Sequence, residues 1–116
     1  MDFSVEFYET AAGRCPVREF LDQLKASDPG DFAAVLAGLS KLRDQRYHGV
    51  PLSKALGEGL FELRHVGKLN TRVLWFFVRG RRIIAVHAIR NKGQAIPADD
   101  LRTARERMND WRKRMK

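Results

Sequence analysis

The residues best suited to chemistry are cations in the most strand-like part of the chain, residues 60–92. This stretch carries eight of the 22 Lys and Arg residues and a single acid, Glu62. Planar guanidinium groups bind phosphate through paired hydrogen bonds and keep their charge at any relevant pH. The pattern predicts a polyanionic partner, although a solvated basic surface would also produce it.

Metal-free RNA cleavage is one reaction that cations of this kind could support. The ribose 2′-hydroxyl is the nucleophile, so the protein supplies a base for its proton, cations for the phosphate and an acid for the departing 5′-oxygen. We expect Arg64 and Arg72, on adjacent predicted strands, to bind phosphate, and Arg90 or Lys92 to lie near the scissile group. The set of candidate catalytic residues is Arg64, Arg72, His87, Arg90 and Lys92.

Both strand arginines also have structural interpretations. Arg64 could form an ion pair with Glu62, which lies two residues away on the same strand face. Arg72 has no acid nearby in sequence and shares parity with Leu74, which predicts a position at the rim of an apolar face. The sequence leaves the structural and the functional interpretation open for each.

His87 is the one histidine inside a predicted strand. Its side chain titrates near neutrality, which suits a general acid or base. It also shares parity with Ile83, Ala85 and Ile89, so a histidine hydrogen-bonded inside the core is the alternative.

Periodicity predicts an α+β fold in the order βααβββα. Alternation over residues 3–7 predicts a first strand, and two amphipathic helices follow, one from Pro16 and one ending near Tyr47, as an αα-hairpin against the sheet. Residues 48–59 have turn chemistry and predict a loop. Three strands at about 60–65, 71–78 and 82–91 form an antiparallel meander with the first strand at an edge, and Pro97 opens a C-terminal helix.

Length and composition set wider limits. We expect residues 1–116 to form one domain, because a chain of this length can bury roughly two thirds of its unfolded surface. The lone Cys15 and the lack of clustered Cys and His predict neither a disulfide nor a metal site nor a cofactor. We expect a cytoplasmic protein, since neither a signal peptide nor an apolar run of roughly 18 residues is present.

Four phrases, in order over nearly the whole chain, carry a family resemblance. They are PVREFLDQL (16–24), GLFELR (59–64), TRVLWFF (71–77) and AVHAIRNK (85–92). The chain resembles the HigB-like, phage-related branch of the RelE/ParE toxin superfamily. The resemblance implies the toxin of a type II toxin–antitoxin pair, most often a ribosome-dependent mRNA endonuclease, with the ribosome, mRNA and a small acidic or helix-turn-helix antitoxin as partners.

Two other functions remain open. A ParE-like relative would inhibit DNA gyrase without chemistry of its own. The link at residues 91–96 lacks the second lysine and the threonine that usually precede the helix-opening proline, so an inactive phage-derived module that binds nucleic acid or an antitoxin is the other alternative.

A second set of cations is predicted to bind RNA rather than to catalyse. The set is Lys68, Arg79, Arg81 and Arg82. The three arginines flank the predicted turn at Gly80, where they are either solvated turn residues or contacts to ribosomal RNA.

Overall fold

A computed structural model describes residues 2–64, 70–90 and 95–115. It has three α-helices and a five-stranded, mostly antiparallel sheet, which confirms the α+β class. Lys68 and Lys92 lie outside the described residues.

The N-terminal third forms a strand and the predicted helix pair. β1 spans Ser4–Phe7, α1 spans Pro16–Ser27 and α2 spans Pro29–Lys41. Asp28 ends α1 and caps α2, since its side chain accepts a 3.0 Å hydrogen bond from the Asp31 N–H. The prediction that α2 continues to Tyr47 is wrong, because Asp44 caps a separate 3₁₀ helix at Gln45–Tyr47.

The predicted meander is confirmed as β3 (Leu60–Arg64), β4 (Thr71–Val78) and β5 (Arg82–Arg90). The sheet order is β1-β5-β4-β3-β2, which places β1 at one edge, as expected. There β1 pairs with β5 in parallel.

The predicted loop at residues 48–59 is wrong in part, because it contains the second edge strand, β2 (Ser53–Gly57). Its sequence SKALG lacks sustained alternation of apolar and polar residues. Main-chain pairing with β3 makes it a strand, with a bulge between Ala55 and Gly57.

Two apolar layers enclose the sheet. The first packs α1 and α2 against one face and includes Val17, Leu21, Leu39, Leu63, Val73 and Trp75. The second packs α3 (Ala98–Arg114) against the other face and includes Leu60, Leu74, Phe76, Val86, Met108 and Trp111. The second face of β4 is therefore covered by the C-terminal helix where Leu74 and Phe76 lie. None of the described helices is both long and apolar enough to cross a bilayer.

A bulge in β5 changes the predicted direction of His87. Trp75 pairs with Ala85, but Leu74 pairs with His87, so Val86 is an extra residue in β5. The bulge reverses the alternation, so that His87 faces α3 whereas Ala85 faces α1 and α2.

Candidate functional site

The centre of the candidate site is a pair of arginines around one carboxylate on the α3 side of the sheet. Arg64 and Arg72 are direct cross-strand partners. The Arg64 Nε lies 3.7 Å from Oε1 of Glu62, and the Arg72 Nη1 lies 3.7 Å from its Oε2. Hairpin pairing thus brings the two guanidinium groups together, and it also produces the ion pair that was the alternative for Arg64.

The two arginines differ in exposure. The Arg64 side chain is 46% exposed, whereas those of Arg72 and Glu62 are 3% and 4% exposed. Arg72 therefore does not occupy the predicted rim position, because its side chain is buried. The buried Arg72–Glu62 pair forms a fixed base beneath the exposed Arg64.

A cavity of about 230 Å³ adjoins this pair, lined by Lys54, Leu56, Glu62, Arg72, Ala95, Ile96 and Leu101. Lys54 is exposed on β2 and is the direct cross-strand partner of Glu62. Lys54 is not among the predicted site residues, because the turn chemistry of residues 48–59 predicts a loop where the structure has β2. The cavity combines two cations, one carboxylate and apolar walls.

Arg90 does not join this group. It pairs with Thr71, whose hydroxyl donates a 2.9 Å hydrogen bond to Asp31 of α2. Because adjacent residues of a strand face opposite sides, Arg90 lies on the α2 side whereas Arg72 lies on the α3 side. The predicted convergence of Arg90 with Arg64 and Arg72 is absent from the described residues.

His87 is held by two side chains of α3 that sequence analysis did not identify. Its Nε2 lies 2.7 Å from Oδ1 of Asp100, and its Nδ1 lies 2.9 Å from Nη1 of Arg107. Arginine only donates, so Nδ1 is the acceptor and the ring proton on Nε2 is donated to Asp100. Buried Leu74 separates His87 from Glu62 in the same cross-strand row. This geometry matches the structural interpretation of His87.

The β4–β5 turn carries the other predicted cations at the opposite end of the sheet. Arg82 donates two hydrogen bonds, of 2.6 and 2.8 Å, to Glu6. Arg79 and Arg81 are exposed, and the Arg81 guanidinium lies 5.4 Å from the centre of the Phe3 ring. Phe77, itself 37% exposed, lies 5.8 Å from Phe3 between ring centres. We name Phe3, Phe77, Arg79 and Arg81 the turn patch.

Comparison with known proteins adds one family. A family model described as phage-derived protein Gp49-like (DUF891) matches residues 19–109. No curated protein matches the chain. The matched range contains all of α2 and β2–β5, and therefore every described residue of the arginine pair and its cavity.

Proposed function

The chain belongs to the phage-derived Gp49-like family, within the RelE/ParE-like toxin superfamily, and from this premise we propose that it is the toxin of a type II toxin–antitoxin pair. Within that superfamily we place it nearest the HigB-like branch, on the four phrases that carry the resemblance. Its partner is an antitoxin, which we propose to be a small acidic or helix-turn-helix protein encoded beside it.

We further propose that the toxin is a ribosome-dependent mRNA endonuclease. The observation that carries this proposal is the Glu62 carboxylate, which lies 3.7 Å from both the exposed Arg64 and the buried Arg72 and has Lys54 as its direct cross-strand partner. Preorganised cations stabilise the charge that develops on a phosphate during cleavage, and a fixed base beneath them limits the reorganisation needed.

The proposed reaction needs no group from outside the RNA and the protein. The 2′-oxygen attacks the adjacent phosphorus, the bond from phosphorus to the 5′-oxygen breaks, and the products are a 2′,3′-cyclic phosphate and a 5′-hydroxyl end. Arg64 binds the phosphate. Glu62 lines the cavity, and its Oε2 accepts no hydrogen bond from the described residues, so we assign it the 2′-proton. Lys54 donates the proton that the 5′-oxygen takes up.

The remaining predicted residues take supporting roles in this proposal. Arg72 is a positioning residue, because its Nη1 lies 3.7 Å from Oε2 of Glu62 and orients that carboxylate. His87 positions β5 against α3 through Asp100 and Arg107. Arg90 remains a candidate for contact with the RNA backbone, outside the group around Glu62. Lys68 remains a candidate for RNA binding and Lys92 for a position near the scissile group; both lie outside the described residues.

We propose that the turn patch docks on ribosomal RNA. Exposed cations neutralise backbone phosphates, and aromatic faces stack on unpaired bases. Arg79 serves this role better than Arg82, whose charge is compensated by Glu6. Replacing Arg79 with Gln should weaken ribosome association most at low salt, and an unchanged salt dependence would contradict the assignment.

Expression of the chain without an antitoxin tests the function. We expect growth arrest and cleavage of translated messages, with new 5′-hydroxyl ends mapped by sequencing. Glu62→Gln should abolish the ends, but it also costs stability, because it leaves Arg72 without its buried counter-ion. Lys54→Gln, at an exposed residue of β2, should reduce the ends while the protein remains folded. Growth arrest with intact messages would contradict the nuclease assignment.

The alternatives give different signatures in the same cells. A ParE-like gyrase inhibitor would produce double-strand DNA breaks and an SOS response with messages unharmed. An inactive phage-derived module would leave growth, DNA and messages unchanged.

A further inference from the structure

A second polar cavity, distinct from the one beside Glu62, lies where the edge strand stops. β1 ends at Phe7, opposite Ala85, while β5 continues to Arg90. A cavity of about 320 Å³ adjoins this uncovered length of β5. It is lined by side chains from α1, α3, β5 and the 10–14 turn, among them Thr10, Arg14, Glu19, Gln23, His87 and Arg107.

Arg107 is the unusual member of this lining. Its Nη1 donates to the Val86 carbonyl at 2.9 Å and to Nδ1 of His87 at 2.9 Å, and both acceptors are uncharged. No carboxylate of the described residues lies within ion-pair distance of this half-buried guanidinium. Buried charges in proteins are normally paired with an opposite charge. Desolvation lowers the pKa of Arg107 and the charge of Arg14 lowers it too, whereas electrostatic attraction from Tyr8 and Glu19 raises it in part.

The other groups of the cavity favour an anion. Arg14 is held by the 10–14 turn, in which its N–H donates to the Thr10 hydroxyl oxygen at 3.0 Å. Its guanidinium forms an ion pair with Glu19. With a neutral His87, two arginines and one glutamate leave the lining with one net positive charge. The Thr10 hydroxyl and the Gln23 amide add donors that carry no charge.

We propose that this cavity is an oxyanion-binding site that takes the phosphate group of a small phosphorylated molecule. Arg107 provides the charge, Arg14 a second cation, and Thr10 and Gln23 further hydrogen bonds. A phosphate has three oxygens for these donors, whereas a carboxylate has two. Phe20 and Pro16 form an apolar wall against which the rest of such a molecule can lie.

The site differs in place and role from the proposed cleavage site. Leu74 lies between His87 and Glu62, and the two cavities have no lining residue in common. A phosphate bound in the second cavity would affect how α3 is held against β5, because Arg107 lines this cavity and also donates a hydrogen bond to His87.

Titration of the purified full-length chain with inorganic phosphate tests the proposal by NMR. The probes are the Arg107 Nε–H and the His87 ring signals, at constant ionic strength, with sodium acetate as the parallel titrant. We expect saturable phosphate shifts with a dissociation constant on the order of 1 mM, within reach of so small a ligand. Acetate should bind at least severalfold more weakly.

Two charge-removing variants on one helix make the test specific. Arg107→Gln should weaken phosphate binding at least tenfold, whereas Arg102→Gln, at an exposed residue of α3, should leave it unchanged. If Arg107→Gln fails to fold, Arg14→Gln serves in its place and should weaken binding severalfold. Shifts that do not saturate, equal binding of acetate, or binding that both cavity variants retain would each overturn the assignment.

Discussion

Arg64 and Arg72 face each other directly across β3 and β4. Like charges in this arrangement destabilise a sheet unless an anion compensates them. Glu62 lies 3.7 Å from both guanidinium groups and provides that anion. The same pairing therefore fixes the sheet and leaves one of its arginines, Arg64, available to a ligand.

Replacing Arg72 with Ala should cost far more stability than replacing Arg64. Removal of Arg72 leaves the buried Glu62 carboxylate without its buried partner, which typically costs about 3–5 kcal/mol. Arg64 is half exposed, so its loss should cost about 1 kcal/mol or less. Urea unfolding of the two variants measures the difference, and Arg72→Met provides the control. Met fills the space of Arg72 without a charge. If Arg72→Met is more stable than Arg72→Ala, part of the stability lost in the Ala variant comes from lost packing. Equal stabilities of the Ala variants at positions 64 and 72 would contradict this account.

The neutral imidazole of His87 should carry its proton on Nε2. Arg107 donates to Nδ1, which requires a bare nitrogen there, and Asp100 accepts from Nε2. Nitrogen-15 chemical shifts of the ring distinguish the two tautomers directly. Arg107→Ala removes the donor and should let the other tautomer appear, whereas Arg102→Ala should have no effect. A ring protonated on Nδ1 in the unaltered protein would show that the hydrogen bonds are assigned wrongly.

Acid stability should depend on the link between β1 and β5. Hydrogen bonds from Arg82 lower the pKa of Glu6 from 4.5, against the opposing effect of burial. A carboxyl with a lowered folded-state pKa stabilises the fold above its unfolded value and loses that contribution as the pH falls through the folded-state value. Glu6→Gln should therefore lower Tm near neutral pH and reduce its loss below pH 4.5.

The effect of Glu6→Gln should be small, because solvent screens a pair whose side chains are both 39% exposed. Thermal unfolding across the acid range measures it. Glu106→Gln is the matched control, since Glu106 is exposed and forms no ion pair with the described residues. An identical pH profile of Tm for the two variants would show that Glu6 is not the source of the acid sensitivity.

The sequence predicts the elements well where local patterns decide them. The helix stripe of α1, the Asp28 cap of α2 and the alternation of β3 to β5 are all local signals. β2 escaped prediction because SKALG lacks sustained alternation and the glycines in and around it indicate a turn, so the short hairpin that pairs it with β3 was not recognised. The predicted β3–β4 hairpin places Arg64 and Arg72 on adjacent strands, so the sequence predicts that they lie close together.

The surroundings of the site residues depend on contacts distant in sequence. The bulge at Val86 moves His87 to the α3 side, and nothing in the strand pattern marks it. Asp100 and Arg107 reach His87 from a helix 13 and 20 residues away. The burial of Arg72 likewise differs from the rim position that its strand parity predicts. Only Glu62, the sole acid among eight cations, gave a sequence signal for the compensating charge.

The most direct test of the central claim compares message cleavage by Arg64→Ala and Lys113→Ala, each expressed at equal level without an antitoxin. Lys113 is an exposed cation near the end of α3, remote in sequence from the Glu62 cavity lining, so it controls for loss of charge alone. Loss of one preorganised cation typically removes about 2–3 kcal/mol of transition-state stabilisation, or roughly 30- to 150-fold in rate. We predict that loss in 5′-hydroxyl ends for Arg64→Ala and wild-type cleavage for Lys113→Ala. Equal cleavage by the two variants would contradict the assignment of Arg64 to the scissile phosphate.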